Sequence, residues 1–401
     1  MNTDPLADGD WSIVLDRETS TYQILRPGYA PVVEALNGGS PFSVTSYISR
    51  TTYRPLKNTL TIETIRGDTI VAEMPTVRDF SPHRGRPTVY LDQNHWNTLY
   101  KAKYVISGVK SREHEAALWL IEQASAGRII LPLSSAHMSE TCKWRNNGER
   151  YTLALTILQL SAGWQLRDPL AVRRNEILSS LHSRLETGIE MVTHPAVTLE
   201  PYAISSGIRS PEVVRKHSFF ASAALTAVTA NFDTMLDGEA VQQNPIPGWV
   251  ERNQNFTDWL ATEKGAGSAM KRRRTYVFFF SDTGSEVAKA AHSTGVSVEE
   301  MGRWSRSFME QDVAVMPNLG LFREVFHEKL VDGRTKWNSN DLTDMMYLTC
   351  AAAYCDFTVG EKSLISKIEQ AQRRMKRPSA IFRNFSACVP VLADRIGEVF
   401  P

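Results

Sequence analysis

The sequence predicts an α/β fold with a parallel sheet, interrupted by a long helical stretch and preceded by a β-rich segment. Three observations carry that expectation. Short apolar runs of strand length, 88–91 and 129–133, are each followed by a segment of helical period, and the same alternation returns around Phe357–Val359. Strand, helix, strand, helix in that order is the sequence form of a parallel α/β unit. Residues 145–335 read as successive helices, whereas residues 1–86 are rich in Thr, Ser, Gly and Pro and lack a helical period.

Along the chain, 59–65 alternates apolar and polar residues, Gly67-Asp68 offers a turn, and 69–72 resumes the alternation, which is a hairpin signature. Arg84-Gly85-Arg86-Pro87 punctuates the chain before a buried strand at 88–91. Within 115–126, Ala117, Leu120, Ile121 and Ala124 recur at helical spacing, and Gly127 stops that helix. A second strand is expected at 129–133, after which Ser134-Ser135 cap a helix bearing His137, Glu140 and Trp144. Helices are expected at 151–160, 173–185, 213–236 and 285–291, separated by prolines and glycines such as Pro195, Pro201, Pro245, Pro247, Gly265 and Gly267. Beyond Trp337 a helix at 341–354 is apolar on nearly every side and therefore buried. A strand at 357–359, a helix at 363–375 and a last strand within 387–392 complete the expectation. The expected domains are a β-rich extension (1–86), a first α/β segment (87–144), a mainly helical insertion (145–335) and a second α/β segment (336–401).

Composition narrows the class. The chain has 401 residues, 42% of them hydrophobic, and a formal net charge of +1, so no global basic field advertises a polyanionic partner. Basic surface must be local, at Lys271-Arg272-Arg273-Arg274 or Arg373-Arg374-Met375-Lys376-Arg377. No run of about eighteen apolar residues suits a membrane span. The polar, acidic start Met1-Asn2-Thr3-Asp4-Pro5 is unlike a signal peptide, and Cys142, Cys350, Cys355 and Cys388 lack metal-type spacing. These features suit a cytoplasmic protein with reduced thiols.

The chemistry is carried by acids placed where strands end and helices begin. Asp92 closes the apolar run Val89-Tyr90-Leu91, at the carboxyl end of a strand where open α/β sheets bind their ligands. The bland reading of Asp92 is a helix cap. Glu140 follows the second strand on a helix and, alone, reads as a solvated position. Asp341 and Asp344 lie three apart on one face of a helix start, where acids also complement the helix dipole. Asp356 precedes the strand Phe357–Val359 and Glu361 follows it. Like charges gathered together repel unless a cation compensates them, so a joint acidic pattern points to Mg²⁺ or Mn²⁺.

Asp92-Gln93-Asn94, the later Glu140, Asn340-Asp341 with Asp344, and Asp356-Phe357-Thr358-Val359-Gly360-Glu361-Lys362, in that order, resemble the PIN-domain nucleases. The resemblance covers about 88–144 and 335–392. Gly360 and Glu361 stand where the family more usually has Thr and Asp, so Asp356 and Glu361 compete for one acidic role, and Asp341 and Asp344 for another. The resemblance implies a three-layer α/β/α PIN-like domain and a metal-dependent nuclease, first of all an endoribonuclease leaving 5′-phosphate and 3′-hydroxyl ends. Asp92, Glu140, Asp344 and Asp356 or Glu361 would hold Mg²⁺ or Mn²⁺. Asn94 would support Asp92, and Lys362 would steer a phosphate. RNA is the first partner it implies and DNA the second, with a protein partner or a second copy also admitted and no membrane. A non-catalytic PIN-like scaffold binding RNA or protein is the alternative from another class. A zinc or iron site using His95, His137 and Glu140 is a lesser rival, because no His-x-x-x-His spacing supports it.

Overall fold

A computed structural model describes residues 11–36, 47–75, 79, 81–185, 194–205, 217–237, 248–263, 265–293, 296–378 and 380–400, without the side chains of 217–224 and 293. The chain is mixed α/β and forms two compact units. One comprises 1–166, 197–242 and 396–401; the other comprises 167–196 and 243–395. The unit boundaries are set by packing, whereas the composition changes lie at 86, 144 and 335.

The first unit opens with six strands: β1 (Ser12–Asp16), β2 (Thr21–Leu25), β3 (Val32–Ala35), β4 (Ile48–Arg54), β5 (Thr59–Thr64) and β6 (Thr69–Glu73). They form one antiparallel sheet in the order β3-β2-β1-β4-β5-β6. The β5–β6 hairpin turns at Gly67, whose φ of +84° suits glycine. Thr64 Oγ1 accepts the amides of Arg66 and Asp68 across that turn. Alternation puts Leu60, Ile62, Ile70 and Ala72 on one fully buried face. Then follow β7 (Val89–Leu91), α1 (Gln93–Lys103), α2 (Ser111–Ser125), α3 (Ser135–Thr141), α4 (Asn147–Ser161) and β8 (Gln165–Leu166). Helix α4 packs on β6, and the Tyr151 hydroxyl lies 3.0 Å from Thr64 Oγ1 and 2.8 Å from the Asp68 carboxylate. The chain passes through α5 (Pro169–Leu185), a part of the second unit, and returns with β9 (Val197–Thr198), antiparallel to β8, and α6 (His217–Leu236). The expected helix start at 213–216 lies outside the described residues.

The second unit adds α7 (Trp249–Thr262), α8 (Ser268–Ser293), α9 (Val298–Ser307), α10 (Met309–Val315), α11 (Pro317–Val331), α12 (Asp341–Tyr354), β10 (Phe357–Val359), α13 (Lys362–Arg374), β11 (Ile381–Phe382) and α14 (Phe385–Ile396). Helix α11 is buried on nearly every side, with α5, α7, α8, α12 and α13 packed against it. Its first amides are taken up by Glu176 of α5, whose carboxylate accepts Asn318 N at 2.6 Å and Leu319 N at 2.8 Å. Strands β10 and β11 pair in parallel.

Two expected strands turn out differently. Residues 129–133 make only isolated parallel bridges, Thr88 to Ile130 and Leu133 to Gln165, because Pro132 has no amide to continue a ladder. Residues 387–392 are helical within α14, and the last strand is β11. The buried set Phe385, Cys388, Val389, Leu392 and Ala393 has the 3.6-residue period that a continuous apolar run conceals.

Candidate functional site

In the first unit β7 ends at Leu91 and the chain enters α1 through Asp92, whose extended backbone (φ −74°, ψ 172°) makes it the N-cap. Asp92 Oδ1 accepts the His95 amide at 3.1 Å and lies 2.5 Å from His95 Nδ1. The carboxylate is thus held by His95. Asn94, expected to support it, is exposed, and its carbonyl accepts the Thr98 hydroxyl.

Helix α3 brings its residues back to this strand end through His137. The Ser134 amide donates to His137 Nδ1 at 3.0 Å, so Nε2 carries the proton and donates to the Leu91 carbonyl at 2.8 Å. Complete burial pushes this imidazole down to about 4, against opposing pulls from the Leu91 hydrogen bond and Asp92. A neutral ring with both nitrogens engaged is a clamp and not a metal ligand, which removes the support for a zinc or iron site there.

Glu140 lies one turn further along α3, half-buried, and Gln93 Nε2 ties α1 to α3 by donating to Thr141 Oγ1 at 3.1 Å. Burial pushes the Glu140 carboxyl up, Lys143 pulls it back, and the like charge of Asp92 pushes it up again. The fold therefore brings Asp92 and Glu140 within electrostatic reach of each other at the carboxyl end of β7. A cation between them would relieve both penalties on Glu140.

In the second unit Asp341, Asp344 and Glu361 line one cavity of about 380 Å³, together with Asp332, Lys329, Lys336 and Lys367. Helix starts place them: Asp341 and Asp344 in the first turn of α12, Glu361 as the N-cap of α13. Asp341 is spoken for, with Lys329 Nζ at 2.8 Å and the Asn338 amide donating at 2.7 Å. Asp332 is desolvated, which works against its charge, but the Arg334 amide and Lys367 hold its carboxyl below the ordinary range. Asp356 stands apart. It sits at the opposite end of β10 and lines a different cavity with Cys355, Thr358 and Gln372. Glu361, and not Asp356, therefore shares a site with Asp344. Lys362 is exposed and outside the cavity lining, and the three lysines that do line it carry no motif that sequence reading could have found. Gly360 is explained by packing: a Cβ there would stand 2.9 Å from Leu348 Cδ2 and 3.1 Å from Ile365 Cδ1.

Among the described residues no three His, Cys, Asp or Glu side chains converge as a ready-made metal cage. The oxygen donors present suit Mg²⁺ or Mn²⁺, which are commonly held by one or two carboxylates with waters and substrate phosphates completing the shell. No known family model matches the chain, and no curated protein or solved structure shows detectable similarity to it.

Proposed function

We propose that the protein is a metal-dependent nuclease, with RNA as the first substrate to test, and that its α/β segments follow the three-layer PIN-like plan. One observation carries the reading: Glu140, far from Asp92 in sequence, is half-buried within electrostatic reach of Asp92 at the carboxyl end of a buried strand, so that burial first and the Asp92 charge after it disfavour its ionised form. A bound Mg²⁺ or Mn²⁺ supplies a water of lowered pKa and neutralises charge on the phosphate oxygens. Asp92 offers Oδ2 while His95 and the helix start fix its Oδ1. Glu140 offers a carboxylate on α3, whose start the His137 clamp fixes against Leu91. In the second unit Asp344 and Glu361 form a second acidic pair beside Lys336 and Lys367, and Lys329 keeps Asp341 neutralised.

The test is Mn²⁺ calorimetry beside a cleavage assay on single-stranded RNA, with wild type, Asp92→Asn and Glu140→Gln. Binding and cleavage that both vanish in folded variants support the enzyme. A folded wild type that binds no metal and leaves the RNA intact overturns it. The scaffold reading has its own observation in favour: Asp92 already serves as a helix cap and Asp341 as an ion-pair partner, so both are accounted for without catalysis.

A further inference from the structure

In the basic run 373–377 two residues are engaged by the fold. Arg374 pairs with Glu328 at 2.8 Å, and Arg377 donates to the carbonyls of Ala314, Val315, Met316 and Pro317. In the other run Arg272 is bound to the buried Glu324. Arg273 of the same run is exposed. On α8 the positions Met270, Arg273, Arg274, Val277 and Ser281 follow helical spacing and form one stripe, about 16 Å long at 1.5 Å per residue. Opposite them α7 presents Phe256 and Trp259, and the two helices enclose a groove of about 410 Å³.

Three aromatic rings, two guanidiniums and no carboxylate line this groove. Trp259 is 43% exposed, Met270 48% and Val277 65%. The Arg274 guanidinium lies over one face of the Trp259 ring, 5.0 Å from its centre, while pairing with Glu263 at 2.7 Å, and the indole keeps its exposed area on the groove. Arg273 is exposed on the rim. Flat rings that accept bases, edged by cations that accept phosphates, are what single-strand binding requires.

We propose that the groove between α7 and α8 docks a single-stranded nucleic acid, with bases against Trp259 and a phosphate on Arg273. The inference rests on the nucleic-acid reading above for the class of polymer, but binding here is independent of the acidic residues and of any metal. A stripe of this length spans four or five stacked nucleotides at 3.4 Å each.

The experiment is fluorescence polarisation of a labelled twelve-nucleotide oligo(U) with the full chain in EDTA, where hydrolysis by a metal site is silent. Trp259→Ala weakens binding roughly 5- to 100-fold. Arg273→Gln weakens it and flattens the slope of log affinity against log salt by about 0.7, one single-strand phosphate contact. Asp92→Asn leaves it unchanged, so loss of cleavage and loss of docking separate. Circular dichroism checks that each variant is folded. Oligo(U) affinity equal in wild type, Trp259→Ala and Arg273→Gln overturns the proposal. So does equally effective displacement by polyglutamate, which would mark the groove as a site for acidic protein segments.

Discussion

The His137 clamp gives a pH dependence whose sign and size follow from two hydrogen bonds. The ring must be neutral, because the Ser134 amide points at Nδ1 and leaves no room for a second proton. Its pKa falls from 6.5 to about 4 in the folded protein, with burial as the main cause. The folded value lies below the unfolded one, so the unfolded chain binds the proton first. The stabilisation is therefore whole above pH 6.5 and is lost as pH falls toward 4. At 1.36 kcal/mol per pH unit the loss approaches about 3 kcal/mol for this ring. Raised carboxyls such as Glu140, Glu176 and Glu286 act in the opposite sense, since their folded forms take up protons early. A variant isolates the ring: His137→Gln keeps a donor for the Leu91 carbonyl and does not titrate. Urea unfolding followed by tryptophan fluorescence at pH 7, 6, 5 and 4.5 should show wild type losing stability more steeply than the variant, by up to one proton's slope. NMR of the imidazole should show no protonation of His137 above pH 5. Equal slopes, or a ring titrating near 6.5, would refute the clamp.

Two further outcomes follow from local geometry. Tyr354→Phe removes the hydroxyl that donates at 2.6 Å to the buried Glu176 carboxylate, and should cost about 1–3 kcal/mol in chemical denaturation. Gly163→Ala should lower the melting temperature, by the equivalent of about 1–3 kcal/mol. At Gly163 φ is +89°, and a Cβ would stand 3.0 Å from the Glu73 carbonyl oxygen.

Legibility followed the kind of signal. Helices with an apolar period or a cap were readable: the bounds expected at 341–354 coincide with α12, and the 59–72 hairpin is β5 with β6. Segments that are apolar throughout were ambiguous, because strand and buried helix then look alike, and 387–392 went the wrong way for that reason. Among the acids, sequence placed Asp344 and Glu361 near helix starts but could not show that Lys329, twelve positions before Asp341, would neutralise the latter. The spacing of Asp92 and His95, three apart across a helix start, is the one visible hint of their contact, whereas the sequence reading placed His95 only in the lesser zinc or iron alternative.

That contact sharpens what separates a catalytic acid from a capping one. A capping carboxylate is satisfied by amides and needs nothing further; Asp92 meets that description through Oδ1. Beyond the cap, the Asp92 charge adds to the burial that already raises the cost of ionising the half-buried Glu140. His137, with both nitrogens committed, holds α3 against the end of β7 and so maintains the juxtaposition. Burial first, and the Asp92 charge after it, make the Glu140 carboxylate costly, and a divalent cation is a partner that lowers that cost. The decisive variant is therefore Glu140→Gln. It should raise stability in the absence of metal, as relief of that penalty requires, while abolishing Mn²⁺ binding. A variant that is destabilised and still binds Mn²⁺ would return Glu140 to an ordinary helix position.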